Sequence, residues 1–161
     1  MNVIFLDYDG VVNTPMWSVD GKRCTCNFPE DNQVNNFQAV QWVSEFFQKY
    51  EYAIVVSSSW RFEYNYKDCL TNGGLRSDVE ILGKTPYISC GNRGLEIKLY
   101  LLDHPNITRF LIFDDEAGMG ALINHLVKCN PNVGFGIDAF HQAEALHREF
   151  ENARVYGLCT E

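Results

Sequence analysis

Apolar residues fall into two alternating patterns along this chain. Short continuous runs occur at Val3-Ile4-Phe5-Leu6, Tyr52-Ala53-Ile54-Val55-Val56 and Arg109-Phe110-Leu111-Ile112-Phe113, with weaker ones at Val79–Leu82 and His125–Cys129. Runs of this length, rich in β-branched residues, read as strands covered on both faces. Between them the spacing changes to three and four. Positions 34, 37, 40, 43, 46, 47 and 50 form one helical stripe. Leu95, Leu99 and Leu102 form a second, expected to start near Arg93-Gly94 and to stop at His104-Pro105. A third helix is expected from Ala139 to Glu151, with Asp138 as its N-cap.

Strands alternating with helices predict an α/β class: a three-layer, Rossmann-like fold with a mostly parallel central sheet. The chain has 161 residues, a length that suits one domain over residues 1–161. Residues 13–30 carry Pro15, Gly21 and Pro29 and break the alternation, so they are expected to form a small flap beside the first strand.

Composition narrows the setting. Hydrophobic residues make up 46% and aromatics 14%, which excludes a disordered chain. No apolar run approaches the roughly 18 residues that span a bilayer. Met1 leads almost directly into the first strand, leaving no room for a leader peptide, so a soluble cytoplasmic protein is expected. Six scattered cysteines (24, 26, 69, 90, 129, 159) are expected to be free thiols, because a domain of this size needs no disulfide staples. Cys24 and Cys26 are one residue apart and have no partner pair, which is wrong for structural zinc. Net charge is −8, which argues against a broad basic face for nucleic acid, unless several acids converge on a bound cation.

The chemistry collects where the runs stop. The first ends in Asp7-Tyr8-Asp9-Gly10, the second in Ser57-Ser58-Ser59-Trp60-Arg61, the third in Asp114-Asp115. In open parallel sheets, ligands bind outside the carboxyl ends of the strands. Asp7 and Asp9 share one side if extended geometry persists, with Tyr8 facing away, and Gly10 allows a sharp turn and close backbone approach to a ligand. Clustered carboxylates repel, and a hard divalent cation such as Mg²⁺ resolves that repulsion. Carboxylates, a hydroxyl and a cationic side chain together suit phosphoryl transfer.

Asp-x-Asp-Gly-Val-Val after the first strand, Ser after the second, a basic residue opening a helix and Asp-Asp after a later strand resemble, in order and spacing, the four motifs of the haloacid dehalogenase (HAD) superfamily. Ser58-Ser59-Trp60-Arg61, Gly83-Lys84-Thr85-Pro86, Arg93-Gly94-Leu95-Glu96-Ile97 and Ile112-Phe113-Asp114-Asp115 resemble one capless branch of it. That branch includes the HAD domains of RNA-repair proteins, akin to the phosphatase half of polynucleotide kinase-phosphatases. The resemblance implies that Asp7 is a nucleophile and Mg²⁺ ligand. It implies that Asp9 is the general acid/base with its backbone carbonyl on the metal, and that Ser58 binds the phosphate, with Ser59 and Gly10 beside it. Asp114 and Asp115 match the acidic pair that completes the metal site. Three consecutive serines leave Ser57 as a competitor for the Ser58 role. The basic residue is Arg93 or Lys98, and Arg93 is favoured because a helix N-terminus aims its backbone N–H groups at a phosphate as well.

About 50 residues separate the first two motifs, and one helix uses nearly 20 of them, which leaves no room for a large cap. A capless site is open, so the resemblance implies a phosphorylated substrate on a nucleotide or an RNA or DNA end, attacked to give an aspartyl-phosphate. The alternatives are a receiver-like signalling domain and a non-catalytic nucleic-acid-binding module. Trp60 and Arg61 could contact substrate, and Trp60 could equally pack against the sheet edge. Gly118-Met119-Gly120 reads as a turn, and His141 and His147 as surface positions.

Overall fold

In the computed structural model, which describes residues 1–14, 37–63, 65–89 and 91–155, five strands form one parallel sheet. They are β1 (Asn2–Leu6), β2 (Ala53–Val56), β3 (Ile81–Lys84), β4 (Arg109–Asp114) and β5 (Leu126–Lys128), in the order β3-β2-β1-β4-β5. The three expected strands are present, and the two weaker ones are displaced or trimmed by one to two residues. Residues 15–30 of the expected flap, and Cys24, Cys26, Cys90 and Cys159, lie outside the described residues. Cys69 and Cys129 are free thiols.

The register explains the layering. β1 pairs β2 with Leu6 opposite Val56, and pairs β4 with Leu6 opposite Phe113. Side chains alternate across a strand, so Ile4, Leu6, Ile54, Val56, Leu111 and Phe113 share one face and one apolar cluster. Val3, Phe5, Val55 and Ile112 share the other. The first face is covered by α1 (Phe37–Tyr50), α3 (Tyr66–Asn72) and α5 (Ile137–Val155). The second is covered by α4 (Arg93–Asp103) and a 3-10 turn over Gly120–His125. A short α2 (Trp60–Glu63) leaves the end of β2.

α1 follows its stripe: Val40, Val43 and Phe46 are fully buried, and the Phe46 ring meets those of Phe113, Phe135 and Phe140. α1 ends at Tyr50, and Glu51 after it, with a φ of 55°, reverses the chain into β2. α4 has the expected limits, with the Asn92 side chain accepting from the Leu95 N–H as its N-cap. Its buried face, however, is Gly94, Glu96, Ile97 and Tyr100, while Leu95 and Leu102 are exposed. The leucine stripe fixes the helical period but not the face, because α4 turns its glycine and glutamate inward to meet the site loops. α5 begins at Ile137, so Asp138 lies in its first turn and is not the N-cap. His147 is not a surface position: its ring lies 4.2 Å from that of Tyr50, and its Nδ1 is 3.1 Å from the Tyr52 hydroxyl. No large cap is present among the described residues, and none of their helices is long and apolar enough to cross a membrane.

Candidate active site

The sheet order puts the topological switch point at the carboxyl ends of β1 and β4, where open parallel sheets bind their ligands. The residue that follows Leu6 is Asp7, and one step beyond the pair of Leu6 and Phe113 it stands opposite Asp114. The ladder persists one step past β1, with the Asp7 N–H donating to the Phe113 carbonyl and the Ser57 N–H donating to the Leu6 carbonyl. On the other side the Thr85 N–H donates to the Val56 carbonyl. Extending the pairing one step beyond Val56 opposite Lys84 makes Thr85, Ser57, Asp7 and Asp114 one row across four strands. By alternation the row lies on the α4 side of the sheet.

Arg93, the first residue of α4, reaches down onto that row. Its Nη1 is 2.5 Å from Asp7 Oδ2 and 2.5 Å from Asp114 Oδ2. Both carboxylates are buried. Carboxylate oxygens of Asp7, Asp114 and Asp115 lie within 4.8 Å of one another. Burial first, then the charge of Asp7, pushes Asp114 up to about 6, against the pull of Arg93. Burial and Asp7 raise Asp115 in the same direction. Burial works against the charge on Arg93, but Asp7 and Asp114 outweigh it and hold the guanidinium above its ordinary value. A cluster in which one arginine balances three carboxylates is a site with charge to spare for a second cation. The Asp114 carboxylate already accepts the Glu116 N–H at Oδ1, which fixes its orientation.

The donor set is hard oxygen only, which fits Mg²⁺ rather than a softer metal. HAD enzymes in general use Mg²⁺, and this trio could hold it.

Asp9 stands apart from the trio. It is exposed, and each carboxylate oxygen has a donor: Asn13 Nδ2 at 2.6 Å on Oδ1 and Trp60 Nε1 at 2.9 Å on Oδ2. The loop that presents it is tightly wound, because Val11, Val12 and Asn13 all donate N–H groups to the Tyr8 carbonyl. Tyr8 itself faces away into the core, as expected, with its hydroxyl donating to the Tyr66 carbonyl. Gly10 has a φ of 71°, and a Cβ there would overlap the Asp115 carboxyl group. Glycine is therefore required both by backbone conformation and by space.

The serines separate by environment. Ser57 is in the row beside Asp7, fully buried, and its Oγ has no hydrogen-bond partner. Ser58 is also buried, with its Oγ 3.4 Å from the Trp60 N–H, and Ser59 is exposed. The Thr85 Oγ1 is buried and unpartnered like that of Ser57. Buried hydroxyls without a partner are rare, and here two occur side by side in the row that contains Asp7. Lys98 is exposed on α4, and the basic side chain brought to the carboxylates is that of Arg93.

Arg61 has a role not visible in the sequence. It is buried, and its guanidinium donates to the Ser57, Ser58, Thr85 and Pro86 carbonyls and to Glu96 Oε2 at 2.6 Å. Glu96 in turn accepts the Ile88 N–H. One ion pair thus ties the serine loop, the loop after β3 and the first turn of α4 together. The clue in the sequence is Glu96 on α4, which lies off the leucine stripe yet is buried. Of the two readings expected for Trp60, the structure shows the packing one: its ring lies 5.9 Å from that of Tyr8, and its indole N–H donates to Asp9. Cys129 is buried behind Asp114. Burial and then the nearby carboxylates raise its thiol well above the ordinary value, so it is no nucleophile.

The family described as the HAD domain in Swiss Army Knife RNA repair proteins matches residues 3–139. The chain belongs to that family, and with it to the HAD superfamily. The family in general implies a hydrolase of the phosphatase kind. The chain matches no curated protein and no solved structure.

Proposed function

We propose that this protein is a Mg²⁺-dependent phosphomonoesterase acting on a nucleotide or nucleic-acid end phosphate through an aspartyl-phosphate. The observation that carries the proposal is the convergence of Asp7, Asp114, Asp115 and Arg93 at one sheet edge, in a chain belonging to this family. Asp7, Asp114 and Asp115 would hold the ion, with the Asp9 carbonyl, and the ion would supply Lewis-acid stabilisation of phosphoryl charge.

Asp7 then acts as nucleophile: its oxygen attacks phosphorus and the bond to the ester oxygen breaks. Asp9 gives a proton to that leaving oxygen, then takes one from the water that attacks the aspartyl-phosphate and releases phosphate. Asp9 is suited to both steps because it stands at the open edge while Trp60 and Asn13 fix its carboxylate. Arg93 and the N-terminus of α4 face the transferring phosphoryl oxygens. Ser57 is the better placed phosphate-binding hydroxyl, since its Oγ is unpartnered and in the row with Asp7. Ser58 and Ser59, with Gly10, line the approach.

Substrate class follows from the family, whose domains occur in RNA repair proteins. The test is a phosphate-release screen, with and without Mg²⁺, over 3′- and 5′-phosphorylated oligonucleotides, mononucleotides and sugar phosphates. Release from oligonucleotides or nucleotides that requires Mg²⁺ is expected. Release restricted to sugar phosphates would overturn the substrate class, and no release from any substrate would overturn the activity.

A further inference from the structure

Phe62 and Tyr87 are large aromatic residues left in solvent, 47% and 65% exposed, at the same sheet edge as the row of Thr85, Ser57, Asp7 and Asp114. Their rings meet edge to face with centroids 5.4 Å apart. Phe62 lies in α2, the helix that leaves the serine loop, and Tyr87 lies two residues beyond Thr85. Both are anchored by the same buried arginine. The Arg61 guanidinium lies 4.2 Å from the Phe62 ring centroid, and it binds the carbonyls of Thr85 and Pro86 just before Tyr87. Lys84 stands beside them, its Nζ 5.3 Å from the Phe62 ring centroid and donating to the Arg61 carbonyl at 2.9 Å.

We infer that Phe62, Tyr87 and Lys84 form a stacking platform for the bases of a single-stranded polynucleotide whose terminal phosphate lies at Asp7. This rests on the phosphatase reading above and specifies its substrate: a polymer end rather than a free nucleotide or a sugar phosphate. Two features favour this occupant. Stacking on aromatic side chains tolerates any base, and the Lys84 ammonium, which donates one N–H to the Arg61 carbonyl, has two more for the next backbone phosphate. With a net charge of −8, the whole chain repels a polyanion, so capture must come from local stacking rather than from a basic face. The platform is also on the β3 side of the row, continuous with the site through Thr85, where a strand extending from the bound phosphate can run without crossing Arg93.

The test uses the full chain and three variants, Phe62→Ala, Tyr87→Ala and the double variant, with Tyr87→Phe as the conservative control. Neither Phe62 nor Tyr87 touches the carboxylates. Rates on p-nitrophenyl phosphate are expected to be unchanged. KM for a phosphorylated single-stranded oligonucleotide is expected to rise on the order of tenfold for each lost ring, and Tyr87→Phe is expected to retain the wild-type value. An oligonucleotide with abasic residues next to the phosphate should show no difference between wild type and variants. Unchanged KM for the base-bearing oligonucleotide would overturn the inference. So would an equal loss on both substrates, or a change in oligomeric state in the variants that shows the rings to be a contact between copies of the chain. If the wild type releases no phosphate from any substrate, the activity fails but the platform is still read directly. Anisotropy of a labelled single-stranded oligonucleotide would weaken in the double variant if the platform is real, and would not change if it is not.

Discussion

Gly10 has no side chain because Asp115 uses the space where one would be. Its φ of 71° and the overlap of a Cβ with the Asp115 carboxyl group make it a residue with two reasons to be glycine. Asp115 is a side chain and can move, so Gly10→Ala is expected to fold, at a cost of about 1–2 kcal/mol for the left-handed alanine. Its price is paid at the site: the displaced Asp115 should weaken Mg²⁺ binding, as measured by calorimetric titration. Asp114 sets the pH dependence of the same titration. With its carboxyl raised to about 6 by burial and by Asp7, the metal-free protein keeps Asp114 protonated at low pH. A raised carboxyl favours the folded state below its ordinary range, and that contribution is lost as pH rises through about 6. Metal binding needs the ionised form, so Mg²⁺ affinity should be about tenfold weaker at pH 5 than at pH 7.5. A flat profile between those values would contradict the assignment of Asp114 as a ligand.

At this scale the convergence of most of the candidate residues is legible in the sequence. Asp7, Asp114 and Asp115 follow apolar runs, and parallel strands bring run ends together. Which serine continues the strand is not legible, because three in a row carry no mark of it. Only the register with Leu6 and Asp7 singles out Ser57. Thr85 stands in the Gly83-Lys84-Thr85-Pro86 motif, but its place in the row is not legible, because β3 lies two residues later than its apolar run suggests.

Among the elements, α4 shows what periodicity can and cannot give. Leucines at 95, 99 and 102 predict a helix of the right length, yet the inward face carries Glu96. That face is chosen by the Arg61–Glu96 pair and by Gly94, where a Cβ would lie 2.5 Å from the Met119 carbonyl oxygen. Neither is visible without the loops that they meet. Breaking a buried ion pair by removing one partner costs about 3–5 kcal/mol. Arg61→Met and Glu96→Leu are each expected to lower stability to denaturant by that amount, with the double variant recovering part of the loss. Additive losses would show that the pair does not act as a unit.

The opposite face has its own ion pair. Hydrogen bonds from Lys49 and then Tyr50 hold the Glu144 carboxyl down at about 2, joining α1 to α5. A depressed carboxyl stabilises the fold above its ordinary range near pH 4.5, and that contribution is lost as pH falls toward 2. Lys49→Met should therefore differ from wild type in denaturant midpoint at pH 6, and the difference should close as pH falls through that window.

At the scale of the whole molecule, the alternation of strands and helices was enough to predict a parallel three-layer sheet, and the strand ends were enough to say which edge is chemical. Net charge of −8 looks unsuited to a nucleic-acid substrate. The structure shows where part of it goes, into a carboxylate cluster beneath one arginine. The account therefore stands on Asp7 being the group that attacks phosphorus. The direct measurement is the initial rate of Mg²⁺-dependent phosphate release from p-nitrophenyl phosphate by Asp7→Asn, alongside its thermal melt. A variant that melts as a folded protein but has lost on the order of a thousandfold or more of the rate is the predicted result. Phosphate release at the wild-type rate by that variant would contradict it.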